Sequence, residues 1–363
     1  MTTIATLFSG FGGVDIGAMQ AGLTPLWSIE YDAAIAKVAA SNFGHRIHVG
    51  DILECDPHDF ERVDVLHASP PCPNFSVANT ASSETELDIA LAAKVVEFIA
   101  VLQPSIFTLE NVWAYRQSSS WQRINDALWE LGYWVAVDHV NAADHGVPQT
   151  RKRMIVRAIK GGFVPYLPEP VRWVSWYEAI EDILHTLPES QFAPWQMARM
   201  PELMRSFLMQ VQGEAGDGVR WDTEPMQTVT VAHGAAKYRA FIVPGGNDSF
   251  PQRDDSEHGF TIVAGHGGGG CRAWLVNESS TMEVRAADGS SAAQVASYRN
   301  TGQRGLIGDG HVVAMTPRAL ARFQSFPDWY QLPSNARLAA KGIGNAVPPL
   351  LYQRVIESLE PQP

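Results

Sequence analysis

Leu7-Phe8-Ser9-Gly10-Phe11-Gly12-Gly13 stands between a β-rich segment, Thr3 to Phe8, and a helix predicted from about Asp15 to Ala21. A doubly wound α/β sheet places its cofactor loop at this point, and glycines let the backbone approach the ligand. Glu30 follows Gly10 by twenty residues and ends the second predicted strand. A carboxylate there can accept hydrogen bonds from ribose hydroxyls. Loop and acid together predict a cofactor site, although either alone is a weak sign.

The alternation of short β-rich and helical segments extends through the first half of the chain. Strands are predicted at Leu26 to Ile29, directly before Cys72, and at Ile106 to Leu109, which ends in Glu110. This order is typical of an α/β domain built on a parallel sheet. Helical character returns from Pro317 to Leu359, so we expect that segment to pack back onto the first domain. The sequence predicts a doubly wound, Rossmann-like α/β sheet.

Composition separates a second region from this α/β pattern. Between Gly161 and Ala314, Pro, Gly and Trp are frequent and long periodic helices are few. We expect residues 1–160 and 315–363 to form one discontinuous domain, and residues 161–314 to form a smaller, loop-rich domain. Inside this region Thr228 to Val243 aligns on Thr261 to Val276, which predicts two similar strand-loop-strand units.

The bulk properties narrow the classes of function. The chain has 363 residues, of which 45% are hydrophobic and 18% charged, enough for a large core. Uninterrupted apolar runs stay short of the roughly 18 residues of a membrane helix, and Met1 to Ile4 form no positively charged leader, so we expect a cytoplasmic protein without membrane contact. The net charge of −12 argues against non-specific coating of nucleic acid. The basic cluster Gln149 to Arg153 still suits a local contact.

Cysteine usage indicates reduced thiols. Cys55, Cys72 and Cys271 are an odd number without CxxC spacing, so the sequence favours neither a disulfide framework nor a zinc site. His233 and His266 occupy matching places in the internal repeat, but no acidic or thiol partner lies at ligand spacing. We therefore predict no metal site.

A second informative stretch is Ala68-Ser69-Pro70-Pro71-Cys72-Pro73-Asn74-Phe75-Ser76, which follows an apolar strand. Proline fixes φ and removes a backbone donor, so the prolines hold Cys72 in a stiff turn. This setting is typical of a nucleophile. From the stretch alone, a buried structural cysteine is an equally good interpretation.

Several motifs follow one another along the chain. They are Phe8-Ser9-Gly10-Phe11-Gly12-Gly13, Glu30, Gly50-Asp51-Ile52, Pro70-Pro71-Cys72, Glu110-Asn111-Val112, Gln149-Thr150-Arg151-Lys152-Arg153, Arg318 to Trp329, and Gly344-Asn345-Ala346-Val347-Pro348-Pro349. In content and order they resemble the motifs of the DNA (cytosine-5)-methyltransferases, which use S-adenosylmethionine. The resemblance implies a methyltransferase domain at 1–160 plus 315–363 and a target-recognition domain at 161–314.

The resemblance also implies four catalytic residues. Cys72 attacks C6 of cytosine, because C5 is a poor nucleophile until a thiol adds to the ring. Glu110 assists at the ring nitrogen N3 and must keep or share a proton to do so, whereas a structural acid paired with arginine is the alternative. Arg151 and Arg153 favour the thiolate and orient the base at its O2 carbonyl.

A binding site for S-adenosylmethionine is implied in the same way. Its residues are Phe8, Gly10, Phe11, Gly12, Gly13, Glu30, Tyr31, Asp51, Ile52, Pro71, Asn345 and Val347. Tyr31 is expected to stack on adenine, although a core tyrosine is the alternative. Asp51 is placed for an adenine or amine donor, and Asn345 and Val347 for the methionine end.

The implied partner is double-stranded DNA. The target cytosine is expected to flip into a cleft between the two domains, and the chain is expected to act as a monomer. Three alternatives stay open: a tRNA-methylating enzyme of the same family, a catalytically silent DNA-binding protein, and a nicotinamide dehydrogenase.

Three features depart from the family pattern. Val77 to Asp88 corresponds to a mobile loop but lacks its usual basic residues. Gly342 stands where a glutamine is usual, and Asn74 is uncommon two residues after the cysteine. We therefore do not expect this loop to grip phosphates, whereas the changes at Gly342 and Asn74 remove no catalytic group.

Overall fold

A computed structural model describes residues 1–71, 84–190, 207–210, 219–221, 223–228, 238–242 and 311–359. These residues fall into two compact units. The first is drawn from Met1–Asp182, Thr223–Ala235 and Thr316–Pro363, and the second from Ile183–Asp222 and Ala236–Met315. Residues 161–182 belong to the first unit by their contacts, although their composition suggested the second domain. The functional roles of the two domains stay predictions.

The described strands and helices are numbered in chain order. The strands are β1 Thr3–Leu7, β2 Thr24–Glu30, β3 Arg46–Val49, β4 Val65–Ala68, β5 Ile106–Asn111, β6 Tyr133–Asn141, β7 Gln149–Thr150, β8 Lys152–Lys160, β9 Phe207–Gln210, β10 Val219–Trp221, β11 Met226–Gln227, β12 Tyr238–Ile242 and β13 His311–Ala314. The helices are α1 Gly13–Gln20, α2 Ala33–Asn42, α3 Glu86–Leu102, α4 Ser119–Glu130, α5 Trp176–Ile180, α6 Pro317–Phe323, α7 Ala336–Asn345 and α8 Pro349–Glu357.

A seven-stranded sheet with the order β3-β2-β1-β4-β5-β8-β6 forms the centre of the first unit. The first five strands pair in parallel, and β8 is antiparallel to both β5 and β6. The strand order reverses beside β1, as in a doubly wound sheet. The predicted doubly wound α/β sheet is thus confirmed, with one antiparallel strand that the alternation did not predict. The link between β6 and β8, residues 142–151, is too short for a parallel crossover, so the chain turns back there.

Motif residues collect at one edge of this sheet. Because β1, β2, β4 and β5 run parallel, their carboxyl ends lie at the same edge. The glycine loop leaves β1 there, Glu30 ends β2, Pro70 follows β4, and Glu110 precedes the last residue of β5. Strand β8 runs in the opposite direction, so Arg153 near its start reaches the same edge. Open α/β sheets bind ligands at this position.

Helices cover both faces of the sheet. Val95 and Phe98 of α3 and Ile124 of α4 pack with Phe107 in one buried cluster. On the opposite face, Val14 of α1 and residues of α8 pack with strand residues in a second cluster. The sheet is therefore buried on both sides, as parallel sheets require.

A row of polar side chains crosses the middle of the sheet. The register places Ser28, Thr6, His67, Thr108 and Arg157 side by side on β2, β1, β4, β5 and β8. Each of the five is at most 1% exposed, and we call them the buried polar row. A buried polar group without a partner costs about 1–3 kcal/mol, so each member needs a hydrogen bond.

Every member of the buried polar row has such a partner. Ser28 pairs with His45 at 2.7 Å, and Thr6 with Asp15 at 2.8 Å. Arg157 pairs with Asp138 at 3.0 Å, and His67 and Thr108 pair with each other at 2.8 Å. The row is therefore a hydrogen-bonded layer beneath the edge that carries the motifs.

The described strands of the second unit form an antiparallel sheet in the order β10-β9-β12-β13. His233 and His266, the pair in the internal repeat, lie outside the described residues. Within the described ranges, no helix combines the length and apolar character needed to cross a membrane.

Two glycines let α1 closely approach the segment that runs from Val347 into α8. A Cβ atom at Gly13 would collide with the carbonyl oxygen of Val347, and one at Gly17 with that of Pro349. Backbone therefore packs on backbone along this side of α1, which fixes the helix that follows the glycine loop.

We predict that Gly17→Ala lowers the free energy of unfolding by about 1–3 kcal/mol, because the added methyl group overpacks this contact. Gly44→Ala is the matched control, since a Cβ there meets no other described atom within 4 Å. It should change the free energy by less than about 0.5 kcal/mol. Urea unfolding of both variants measures the difference, and equal small effects would contradict the close packing of α1 on α8.

Candidate active site

The glycine loop after β1 presents backbone to the sheet edge. Phe8, Gly10 and Gly12 have φ values of 61°, 57° and 77°, in the left-handed region that non-glycine residues rarely adopt. Ser9 N donates to Ile29 O at 2.9 Å and ties the loop to β2. Gly12 is the N-cap of α1 and provides no side-chain cap, so the first N–H groups of the helix are not satisfied by that residue.

Glu30 fastens the loop to the end of β2. Its Oε2 accepts a hydrogen bond from Gly10 N at 2.7 Å, and its Oε1 accepts one from Asp32 N at 2.8 Å. Burial raises the pKa of this carboxyl group, and the two backbone donors oppose the shift. Each carboxylate oxygen has a second lone pair, so Glu30 can still accept a hydrogen bond from a ligand. The structure thus brings the predicted loop and the predicted acid together.

The other cofactor residues predicted near the loop differ in exposure. Tyr31 is 75% exposed, whereas Phe11 is fully buried with its ring against Gly342. Asp51 accepts a hydrogen bond from a backbone N–H and caps a short 3-10 helix that contains the buried Ile52. The ring of Tyr31 is therefore open to solvent, while the ring of Phe11 packs inside against α7.

The motif Gly344 to Pro349, which we call the C-terminal motif, also lies against the glycine loop and the start of α1. Val347 lies against the start of α1, and Asn345 ends α7 in an exposed position. Gln324 is fully buried, donates to Ala346 O at 2.6 Å and accepts from Gln149 Nε2 at 2.7 Å. Gln149 and Gln324 both lie in the quoted motifs, but no role was predicted for them. Their bridge joins the basic cluster to the C-terminal motif.

Cys72 itself lies outside the described residues. The turn that leads to it, residues 69–71, follows β4, and its two prolines have no backbone N–H groups. Asn111 Nδ2 donates to Pro70 O at 3.1 Å, which fixes the turn to the end of β5. Pro71 is exposed. Asn111 was part of a quoted motif without a predicted role, and it is the residue that links the turn to the neighbouring acid.

Glu110 is 6% exposed and lies between two arginines. Arg153 Nε is 2.9 Å from Glu110 Oε1, and Arg151 Nη2 is 3.9 Å from the same oxygen. Both contacts are ion pairs by their N–O distances. Neither has hydrogen-bond geometry, and Oε1 has no hydrogen-bond partner among the described residues. The structure thus brings three of the four predicted catalytic residues together. Proton sharing by Glu110 stays a prediction.

The two arginines are held in different ways. Arg151 is 3% exposed, and its Nη1 donates to Gly344 O at 2.9 Å. Burial, together with the neighbouring Arg153, lowers the pKa of Arg151 to about 9. Arg153 is less buried and its Nε faces Glu110. Arg151 therefore clamps the C-terminal motif, while Arg153 is the arginine directed at the acid.

Asp15 lies beneath the glycine loop and is 1% exposed. Its Oδ1 accepts from Thr6 Oγ1 at 2.8 Å, but its Oδ2 has no hydrogen-bond partner among the described residues. Burial raises the pKa of this carboxyl group, and the charge of His45 opposes the shift. The native state therefore binds a proton at Asp15 more readily than the unfolded chain does.

Comparison with known proteins gives consistent matches. A family model described as C-5 cytosine-specific DNA methylase matches residues 2–361. The Type II methyltransferase M.NgoBI of Neisseria gonorrhoeae is 33% identical over 168 residues, which cover 46% of this chain and 53% of that protein, or about half of each. The Type II methyltransferase M1.HphI of Haemophilus parahaemolyticus is 25% identical over 369 residues, with 98% of this chain and 86% of that protein covered.

A solved structure extends the likeness to the fold. The methyltransferase EhMeth of Entamoeba histolytica superimposes with a TM-score of 0.63 at 12% identity, over 99% of this chain and 98% of that chain. At this identity the match supports a shared fold and nothing finer.

We predict that Asp15→Asn changes how stability depends on pH. Because the native pKa of Asp15 is raised, the wild type loses stability as the pH rises from about 4 through that native pKa. The variant lacks this loss, so its stability relative to the wild type should increase toward neutral pH. Urea unfolding at a series of pH values measures the trend.

Asp64→Asn is the control with the opposite sign. Hydrogen bonds from Thr3 lower the pKa of Asp64, so its carboxylate stabilises the native state above the unfolded pKa and loses that effect as the pH falls. The stability of this variant relative to the wild type should therefore decrease as the pH rises. If the free energy of unfolding of Asp15→Asn relative to the wild type does not change with pH, the account of the buried acid is wrong.

Proposed function

The chain belongs to the C-5 cytosine-specific DNA methylase family, and we propose that it transfers a methyl group from S-adenosylmethionine to C5 of a cytosine in double-stranded DNA. The proposal rests on three contacts that lie at one edge of the sheet. Glu30 binds the glycine loop, Asn111 binds the turn 69–71, and Glu110 pairs with Arg153. Family membership argues against a nicotinamide dehydrogenase. We further propose that the chain acts as a monomer in the cytoplasm.

The residues around the glycine loop fit S-adenosylmethionine. Glu30 keeps lone pairs for ribose hydroxyls, Tyr31 offers an exposed ring for adenine, and the start of α1 at Gly12 suits a carboxylate. Asn345 and Val347 would hold the methionine end beside that helix start. When bound, S-adenosylmethionine would supply a methyl group activated by a sulfonium, and would leave as S-adenosylhomocysteine once the S–C bond to that methyl group is broken.

Cys72 is the proposed nucleophile. Addition of its thiolate to C6 moves the C5–C6 electron pair onto C5, which can then bond to the methyl group. A general base takes the C5 proton, the electron pair returns to the ring, and the thiolate leaves. At an ordinary pKa of about 8.5 only a few per cent of a thiol is ionised at pH 7. Positive charge from Arg151 and Arg153 at the same edge would favour the thiolate.

Glu110 is the proposed partner of the ring nitrogen N3. Electron density moves into the ring as the thiolate adds, so a hydrogen bond or proton at N3 stabilises the transition state. Arg153 and Arg151 both face Oε1, which leaves Oε2 for the base. A shared proton on that oxygen would make Glu110 a general acid.

The substrate proposal follows from the geometry of DNA. A cytosine inside a duplex cannot reach a thiol at a sheet edge, so the reaction requires base flipping at a cost of a few kcal/mol. We assign recognition of the neighbouring bases to residues 161–314, since side chains at base edges carry sequence specificity. The family description supports DNA over tRNA.

We predict that Cys72→Ala abolishes methyl transfer to duplex DNA while S-adenosylmethionine binding is retained. Glu110→Gln should lower the rate by about 10²–10⁴-fold, because a general acid contributes that much. Transfer of a labelled methyl group to DNA and to tRNA measures both effects. Bisulfite sequencing of DNA from cells that express the chain locates the modified cytosines.

Cys55→Ala is the matched control for loss of a thiol. Cys55 is buried in the core cluster beside α3, and its removal should leave methyl transfer in place. Wild-type enzyme that leaves every duplex unmodified would contradict the proposed function. If tRNA receives the labelled methyl group and DNA does not, the chain belongs to the tRNA-methylating branch of the family.

A further inference from the structure

The turn 69–71 cannot be held by its own backbone. Pro70 and Pro71 have no N–H groups, so contacts from neighbouring strands must fix it. Ser69 N donates to Leu7 O at 3.3 Å, and Asn111 holds the Pro70 carbonyl. A third contact comes from below, where Ser69 Oγ lies 2.6 Å from His67 Nε2.

His67 belongs to a buried chain of hydrogen bonds. Its Nδ1 lies 2.8 Å from Thr108 Oγ1, which lies 3.1 Å from Tyr352 Oη. The rings of His67 and Tyr352 also meet edge to face at 5.0 Å. Burial lowers the pKa of His67 to about 3, so the ring is neutral at physiological pH and carries one N–H group.

The donor and acceptor roles along this chain depend on the tautomer of His67, and the Tyr352 hydroxyl gives one self-consistent assignment. Among the described residues, the Tyr352 hydroxyl makes its hydrogen bond to Thr108. If the phenol donates there, Thr108 donates to Nδ1 of His67, and the imidazole proton must lie on Nε2. His67 then donates to Ser69 Oγ. The hydroxyl hydrogen of Ser69 remains available to the turn.

We infer that His67 is a positioning residue, which holds the turn 69–71 through its Nε2–H···Oγ hydrogen bond to Ser69 and so places Cys72 for attack. The inference rests on the proposed function, because Cys72 is the nucleophile of that reaction. His67 touches neither substrate nor cofactor in this role. It connects the buried polar row to the chemistry at the sheet edge.

Two substitutions of similar polarity test the hydrogen bonds at the two nitrogens of His67 one at a time. His67→Asn has an amide near the position of Nδ1, so it can keep the contact to Thr108 but not the one to Ser69. His67→Gln reaches the position of Nε2 and can still donate to Ser69. We expect the single-turnover rate of methyl transfer to fall about tenfold in His67→Asn and in Ser69→Ala, as loss of one hydrogen bond implies.

The remaining outcomes distinguish positioning from general loss of structure. His67→Gln should stay within about threefold of the wild type, which corresponds to less than one hydrogen bond. The double variant His67→Asn/Ser69→Ala should be no slower than either single variant, because both remove the same contact. KM for S-adenosylmethionine should not change. Ser28→Ala, which removes another hydroxyl from the buried polar row, should lower stability without changing the rate.

Hydrogen exchange at the Ser69 amide gives a readout that does not require activity. Exchange should be faster in His67→Asn and Ser69→Ala and close to wild type in His67→Gln. If the wild type methylates no DNA but exchange follows this pattern, the proposed function fails, while the hold of His67 on the turn 69–71 is supported. Wild-type rates and exchange in His67→Asn and Ser69→Ala would overturn the inference. Should His67→Asn fail to fold, Ser69→Ala and His67→Gln decide between the same outcomes.

Discussion

The parallel pairing of β2, β1, β4 and β5 is the constraint on which the site depends. It sends the carboxyl ends of four strands to one edge, where the glycine loop, Glu30, the turn 69–71 and Glu110 meet. The antiparallel strand β8 then brings Arg153 to the same edge from the opposite direction. Residues far apart in sequence therefore become neighbours without a dedicated interaction between each pair.

The sequence predicted much of this edge because its signals are local. A glycine loop after a strand, an acid at the end of the next strand and a Pro-Pro-Cys turn each follow from a few adjacent residues. The bridge from Gln149 to Gln324 and the clamp from Arg151 to Gly344 could not be predicted, since they span 175 and 193 residues. The burial of Phe11 could not be predicted either. Its ring lies against Gly342, so its position depends on how α7 packs.

The buried polar row could not be predicted from the sequence either. Ser28, Thr6, His67 and Thr108 look like isolated polar residues in apolar strands until the register aligns them. Their burial is tolerated because each has a partner, and His67 has one on either side of its ring. Through Ser69 this layer reaches the turn 69–71, so one hydrogen-bond network connects the core to the segment that directly precedes the proposed nucleophile in sequence.

The central claim is that Cys72 bonds to the cytosine ring during methyl transfer. Duplex DNA with 5-fluorocytosine in place of cytosine tests it directly, because fluorine at C5 cannot be removed as a proton and the thiolate cannot leave. Incubation with S-adenosylmethionine, followed by mass spectrometry of digested protein, should give a stable adduct of DNA at Cys72. An enzyme that methylates ordinary DNA but forms no adduct, or forms it at Cys55 or Cys271, would contradict the account.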